Sequence, residues 1–108
     1  MNKFDIVLIN FPFTDLTSSK IRPGLIIKTL EGENLILCQI TTKRRNISKY
    51  EVKLDENSCE GDIRFNSNIY IDMIFTLHKT LIINKLGSIK NKSTINEINS
   101  KIKQMFCD

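Results

Sequence analysis

The stretch Asn10-Phe11-Pro12-Phe13-Thr14-Asp15-Leu16-Thr17-Ser18-Ser19-Lys20-Ile21-Arg22-Pro23 lies between two short apolar runs, residues 5–9 and 24–27. Each run alone has the length and composition of a buried strand. A hairpin between strands this close needs only a few residues. The connection expected here is longer, polar in its middle and basic at its far end, and it closes on an arginine set against a proline. A loop of that make is suited to holding a ligand.

Around this stretch, 108 residues suffice for one core and one domain, residues 1–108. The 41% hydrophobic and 26% charged content fits a globular chain and argues against wholesale disorder. A net charge of +4 and a pI near 9.1 permit a nucleic acid or an acidic protein as partner. Asp5 interrupts a first apolar run too short for a signal peptide, and no run reaches membrane-span length. A cytoplasmic protein with no membrane association is therefore expected. Cys38, Cys59 and Cys107 are odd in number and lack CxxC spacing, which predicts reduced thiols rather than a disulfide framework or metal site.

Strands dominate the rest. Residues 5–10 and 24–28 read as the first two, joined to a third at 35–40 by the turn-forming Glu31-Gly32-Glu33-Asn34. The third is apolar on both faces and so central. A polar loop at 41–48 carries Lys43-Arg44-Arg45, and residues 50–54 alternate as a half-exposed strand should. Residues 55–62 read as an acidic surface connection, with two further strands at 69–77 and 80–83. Then the period changes: Ile95, Ile98, Ile102 and Met105/Phe106 recur at helical spacing. Asn91, Ser93 and Thr94 are alternative caps, Thr94 with Glu97 having capping-box spacing. The expected fold is mainly β, a strongly bent antiparallel sheet closed by a C-terminal helix.

Phe4-Asp5-Ile6-Val7-Leu8, then Phe11-Pro12-Phe13-Thr14-Asp15-Leu16, then Lys20-Ile21-Arg22-Pro23 resemble the opening of the PemK/MazF toxins of toxin–antitoxin modules. The likeness continues through Gln39-Ile40-Thr41, Gly61 to Asn68, and Thr76-Leu77 to Leu86-Gly87. It implies an SH3-like small barrel, a homodimer, and sequence-specific cutting of single-stranded RNA without metal or other cofactor. The products implied are a 2′,3′-cyclic phosphate and a 5′-hydroxyl, and the implied partner is a cognate antitoxin.

Under that resemblance Arg22 and Thr41 take the catalytic positions. A guanidinium fork can grip two phosphate oxygens, and Pro23 restricts where Arg22 can point. The Thr41 hydroxyl can donate to phosphate from the end of a central strand. Neither is a general base, since arginine stays protonated. His78 reads as a surface turn residue. The RNA-binding candidates are Lys20, Lys43, Arg44, Arg45, Phe13 and Ser67: cations to track phosphates, an aromatic to stack on bases, and a serine matching a position near the family's active centre. Phe11 and Phe13 suit a barrel plug equally well, Asn68 departs from the apolar residue usual there, and Asp15 reads as a loop-closing residue. An antitoxin with an acidic disordered segment would cover the basic groove. Two other readings are a non-catalytic binding barrel and a CcdB-like gyrase poison. The latter is disfavoured because that branch is implied to need a C-terminal tryptophan, and this chain has none.

Overall fold

The apolar runs form strands, as their short length and β-branched content dictate. The computed structural model describes residues 1–12, 19–43, 45, 48–55, 58–61 and 67–107, and the side chains of all of these but 11, 12, 19, 20 and 48. The strands are β1 Asp5–Pro12, β2 Ser19–Thr29, β3 Asn34–Thr41, β4 Glu51–Leu54, β5 Cys59–Gly61, β6 Ser67–His78 and β7 Ile82–Ile89. Helix α1, Lys92–Cys107, follows. Every described ladder is antiparallel, in one sheet of order β4-β6-β3-β2-β1-β7-β5. The expected mainly-β architecture is the observed one, a curled sheet forming a small half-barrel.

The central strands are apolar on both faces because each face carries a core. Ile6, Leu25, Cys38, Ile40, Ile69 and Ile71 build one cluster, against which Ile95, Ile102 and Met105 of α1 pack around the fully buried Ile98. Val7, Ile9, Ile26, Leu37 and Leu77 build the other. Burying an isoleucine such as Ile98 contributes roughly 2 kcal/mol. Phe106 stays exposed, so Met105 alone continues the helical stripe. Asn91 settles the cap: its Oδ1 accepts from the Thr94 N–H at 3.1 Å.

Bulges supply the bend. Between Cys38↔Ile74 and Gln39↔Tyr70, β6 carries three residues that β3 does not match. Such insertions turn a strand and sharpen its twist. Further shifts interrupt β2–β3 at Ile27 and β1–β7 at Leu86 and Ile83.

Three expectations change. The first connection is shorter than the proline and polar content implied: β1 and β2 stay paired out to Pro12↔Ser19, which places Arg22 inside a strand. The last strand runs on to Ile89 because its Gly87 lies against β5. The supposed surface connection at 55–62 contains β5. That ladder depends on two glycines: a Cβ on Gly87 would fall 1.9 Å from the Glu60 carbonyl oxygen, and Gly61 holds φ +120°. Among the described residues, no helix is long and apolar enough to cross a membrane.

Two outcomes follow from this packing. Gly87→Ala should lower stability in urea unfolding by about 1–3 kcal/mol, because β5 must move. Burial, with Asp72 adding to it, pushes the Cys38 thiol from the ordinary 9.0 to about 12. The folded chain keeps that proton in a window where the unfolded chain loses it, so this contribution is complete below pH 9 and declines as pH rises towards 12. Urea midpoints at pH 8 and pH 10.5 should differ more for the wild type than for Cys38→Val.

Candidate nucleic-acid interface

The site forms where two strands part. The β2–β3 ladder runs Ile26↔Leu37, Leu25↔Cys38, Gly24↔Gln39 and stops there. Pro23 is the next residue of β2, and a proline has no N–H to offer a ladder. Beyond the stop, β2 follows β1, with Pro23 opposite Leu8 and Arg22 opposite Ile9. The end of β3 follows β6 instead, with Ile40 opposite Ile69 and Thr41 opposite Asn68. Extending the lost register by two residues would set Arg22 opposite Thr41. The two therefore face each other from separate banks of a fork.

A cavity of about 430 Å³ occupies the fork. Ile21, Arg22 and Pro23 line one bank, Ile40, Thr41, Thr42 and Ser67 the other, and Ile6, Leu8 and Leu86 complete the lining. Arg22 is its cation, and no carboxylate is present among the described lining residues. Nor does any described carboxylate form an ion pair with the Arg22 guanidinium. Such a site suits an anion carried on an apolar body, which describes a phosphodiester with its sugar and base.

Thr41 is held ready to donate. Its Oγ1 accepts the Lys43 backbone N–H at 3.2 Å, leaving its own proton for a ligand. The Lys43 carbonyl accepts from the Tyr70 hydroxyl at 2.6 Å and from Asn68 Nδ2 at 3.5 Å. Asn68, a polar residue where an apolar one was expected, is buried and serves this turn.

Arg45, one of the three cations of the run at 43–45, is engaged within the chain. Its Nε and N–H bond Glu51 Oε1 at 3.0 and 3.1 Å, its terminal nitrogens bond both Asp72 oxygens at 2.7 and 3.1 Å, and the guanidinium lies 3.6 Å from the Tyr70 ring centroid. These contacts, Asp72 foremost, raise its already high pKa. Two carboxylates therefore already occupy the guanidinium. Lys43 remains exposed beside Thr41. Ser67 is buried at the cavity wall and makes contacts of its own. Phe13, Arg44 and Asp15, and the side chains of Lys20 and Phe11, lie outside the described residues. His78 stands opposite Asn34, at the other end of the ladder from Thr41, roughly 23 Å away along the strand. Its Nδ1 accepts from the Thr80 N–H, capping a 3-10 turn, as a surface turn residue would.

Residues 2–106 match the family described as PemK-like, MazF-like toxin of type II toxin–antitoxin system. No curated protein matches the sequence. Among solved structures, an endoribonuclease in complex with its cognate antitoxin from a Mycobacterial species is 18% identical, with TM-score 0.78, covering 99% of this chain and 95% of its own. A MazE–MazF structure from Deinococcus radiodurans is 15% identical, with TM-score 0.78 and coverage of 99% and 96%. A Mycobacterium tuberculosis MazF toxin is 20% identical, with TM-score 0.69 and coverage of 94% and 96%. Likeness at these identities establishes a shared fold.

The Arg45 cluster sets a stability expectation. Arg45→Ala takes the guanidinium from Asp72 and from Glu51, whose side chain is only 9% exposed and keeps just the backbone N–H of residue 45. Thermal or urea unfolding should show a loss of about 2 kcal/mol, less than for a fully buried pair because the guanidinium is partly solvated.

Proposed function

Because the chain belongs to the PemK-like, MazF-like toxin family of type II toxin–antitoxin systems, we propose that it is an endoribonuclease cutting single-stranded RNA in the fork between β2 and β3. The observation that carries this reading is Arg22 facing Thr41 across a groove with no described carboxylate.

The chemistry asks little of a protein. The RNA's 2′-oxygen attacks the neighbouring phosphorus, the P–O2′ bond forms and the P–O5′ bond breaks. The 2′ proton leaves and O5′ gains one, giving a 2′,3′-cyclic phosphate and a 5′-hydroxyl. What the site must supply is alignment and stabilisation of charge on the phosphorane oxygens. Arg22 provides two parallel N–H donors for those oxygens. Thr41, its lone pair engaged by Lys43, donates its hydroxyl proton from the opposite bank. The apolar lining takes the sugar and base. Exposed Lys43 adds an electrostatic contact along the backbone. None of this calls for a metal ion. Sequence preference comes from contacts around the groove.

The proposed partner is a cognate antitoxin with an acidic segment that is disordered until it covers the basic groove, and the proposed assembly is a homodimer.

Wild-type protein should cut a mixed-sequence RNA equally well with and without EDTA. Arg22→Ala should lose roughly 10²–10³-fold in kcat, and Thr41→Val should also fall. If Arg22→Ala weakens RNA binding but leaves kcat intact, the arginine is a clamp and not a catalyst. His78→Ala should stay within about twofold of wild type in the same cleavage assay. Antitoxin binding should weaken as salt is raised, and an affinity indifferent to salt would remove the electrostatic account.

A further inference from the structure

Tyr70 and Arg45 belong to no groove bank, yet both act on the turn that holds Thr41. The period of a strand puts Asn68 and Tyr70 on one face of β6, opposite the core residue Ile69, and Asp72 follows in the bulge. Across the ladder, Tyr70 is opposite Glu51. Arg45 lies over this surface: it bonds Glu51 on one side and Asp72 on the other, and its guanidinium plane covers the Tyr70 ring. The strand beneath is fixed as well, since Lys101 Nζ of α1 donates to the Glu51 carbonyl at 2.8 Å.

The ring's hydroxyl reaches the turn. Tyr70 Oη donates to the Lys43 carbonyl at 2.6 Å, while the N–H of the same residue donates to Thr41 Oγ1. Both polar groups of one backbone residue are thus committed, one to Tyr70 and one to the candidate catalytic hydroxyl. A short linkage runs from the carboxylate pair through Arg45, Tyr70 and Lys43 to Thr41.

We infer that Tyr70, braced by Arg45, is a positioning residue for the Thr41 hydroxyl. This rests on the cleavage reading above. Arg45 then acts through geometry and contributes no phosphate contact, although it sits in a run of three cations.

The test separates position from charge and from folding. Tyr70→Phe keeps the ring under Arg45 and removes only the hydroxyl. It should lower kcat by roughly 10–100-fold with KM nearly unchanged, because misplacing a reacting group costs turnover more than binding. The backbone order parameter of Lys43, read by ¹⁵N relaxation, should drop while those of Ile40 and Ile69 do not. Arg45→Gln should lower kcat with an unchanged salt dependence of RNA binding, whereas loss of a phosphate contact would reduce the salt slope by about 1. Where Arg45→Gln folds poorly, Arg45→Lys serves instead: it keeps the charge and loses the bidentate bonds and the stacking, so kcat should still fall. An unchanged kcat in Tyr70→Phe, or a fall in kcat with Lys43 as rigid as before, overturns the inference. So does a reduced salt slope in Arg45→Gln, or wild-type turnover in Arg45→Lys. A wild-type protein that leaves RNA uncut defeats the cleavage reading itself, and the Lys43 order parameter in Tyr70→Phe then still decides whether the hydroxyl fixes the turn.

Discussion

The structure depends on a ladder that stops. β2 and β3 are hydrogen-bonded neighbours up to Gly24↔Gln39 and then diverge, each continuing with its other neighbour. Pro23 stands at the point of divergence and has no N–H to extend the pairing. Everything attributed to the site comes from that parting: the cavity, its two banks, and the presentation of Arg22 and Thr41 from opposite sides. Their placement does not rely on a loop, because both sit on strands whose outer neighbours hold them in register.

Charge is distributed around the fork with some economy of contact. The Arg22 guanidinium faces the cavity without a described carboxylate beside it, while Arg45, close in sequence to Lys43, is neutralised by Glu51 and Asp72. The two arginines thus have opposite fates for a plain electrostatic reason. An arginine with two carboxylates in reach bonds to them, whereas Arg22 lines its groove with no carboxylate among the described lining residues. Counting the cations at 43–45 would overstate the positive field beside the groove, because the Arg45 charge is cancelled locally.

Much of the fold is legible in the residues, and the gaps have identifiable causes. The apolar runs announce the major strands, and Ile95, Ile98 and Ile102 announce α1. Strand ends are harder: prolines at 12 and 23 look like loop residues, and only the pairing of β1 with β2 makes them strand. β5 has three residues and exists because Gly61 and Gly87 let two backbones touch, which no periodicity records. In the site, Arg22, Thr41 and Ser67 converge on one cavity, a convergence the family resemblance implied and no local pattern could supply. Tyr70 carries no local signal and Arg45 reads as one of three cations because their partners are distant: Asp72 lies 27 positions from Arg45, and the Lys43 carbonyl lies 27 from Tyr70.

A sheet that forks is a sheet left unfinished. Zipping β2 to β3 for two more residues would add main-chain hydrogen bonds and shield apolar side chains that now line an open cleft, and the molecule would gain rigidity from it. It would also seal the cleft across which Arg22 and Thr41 face each other. The chain is therefore held below the stability its own topology permits, and a substitution at Pro23 that restored a donor there would be expected to trade recognition for robustness.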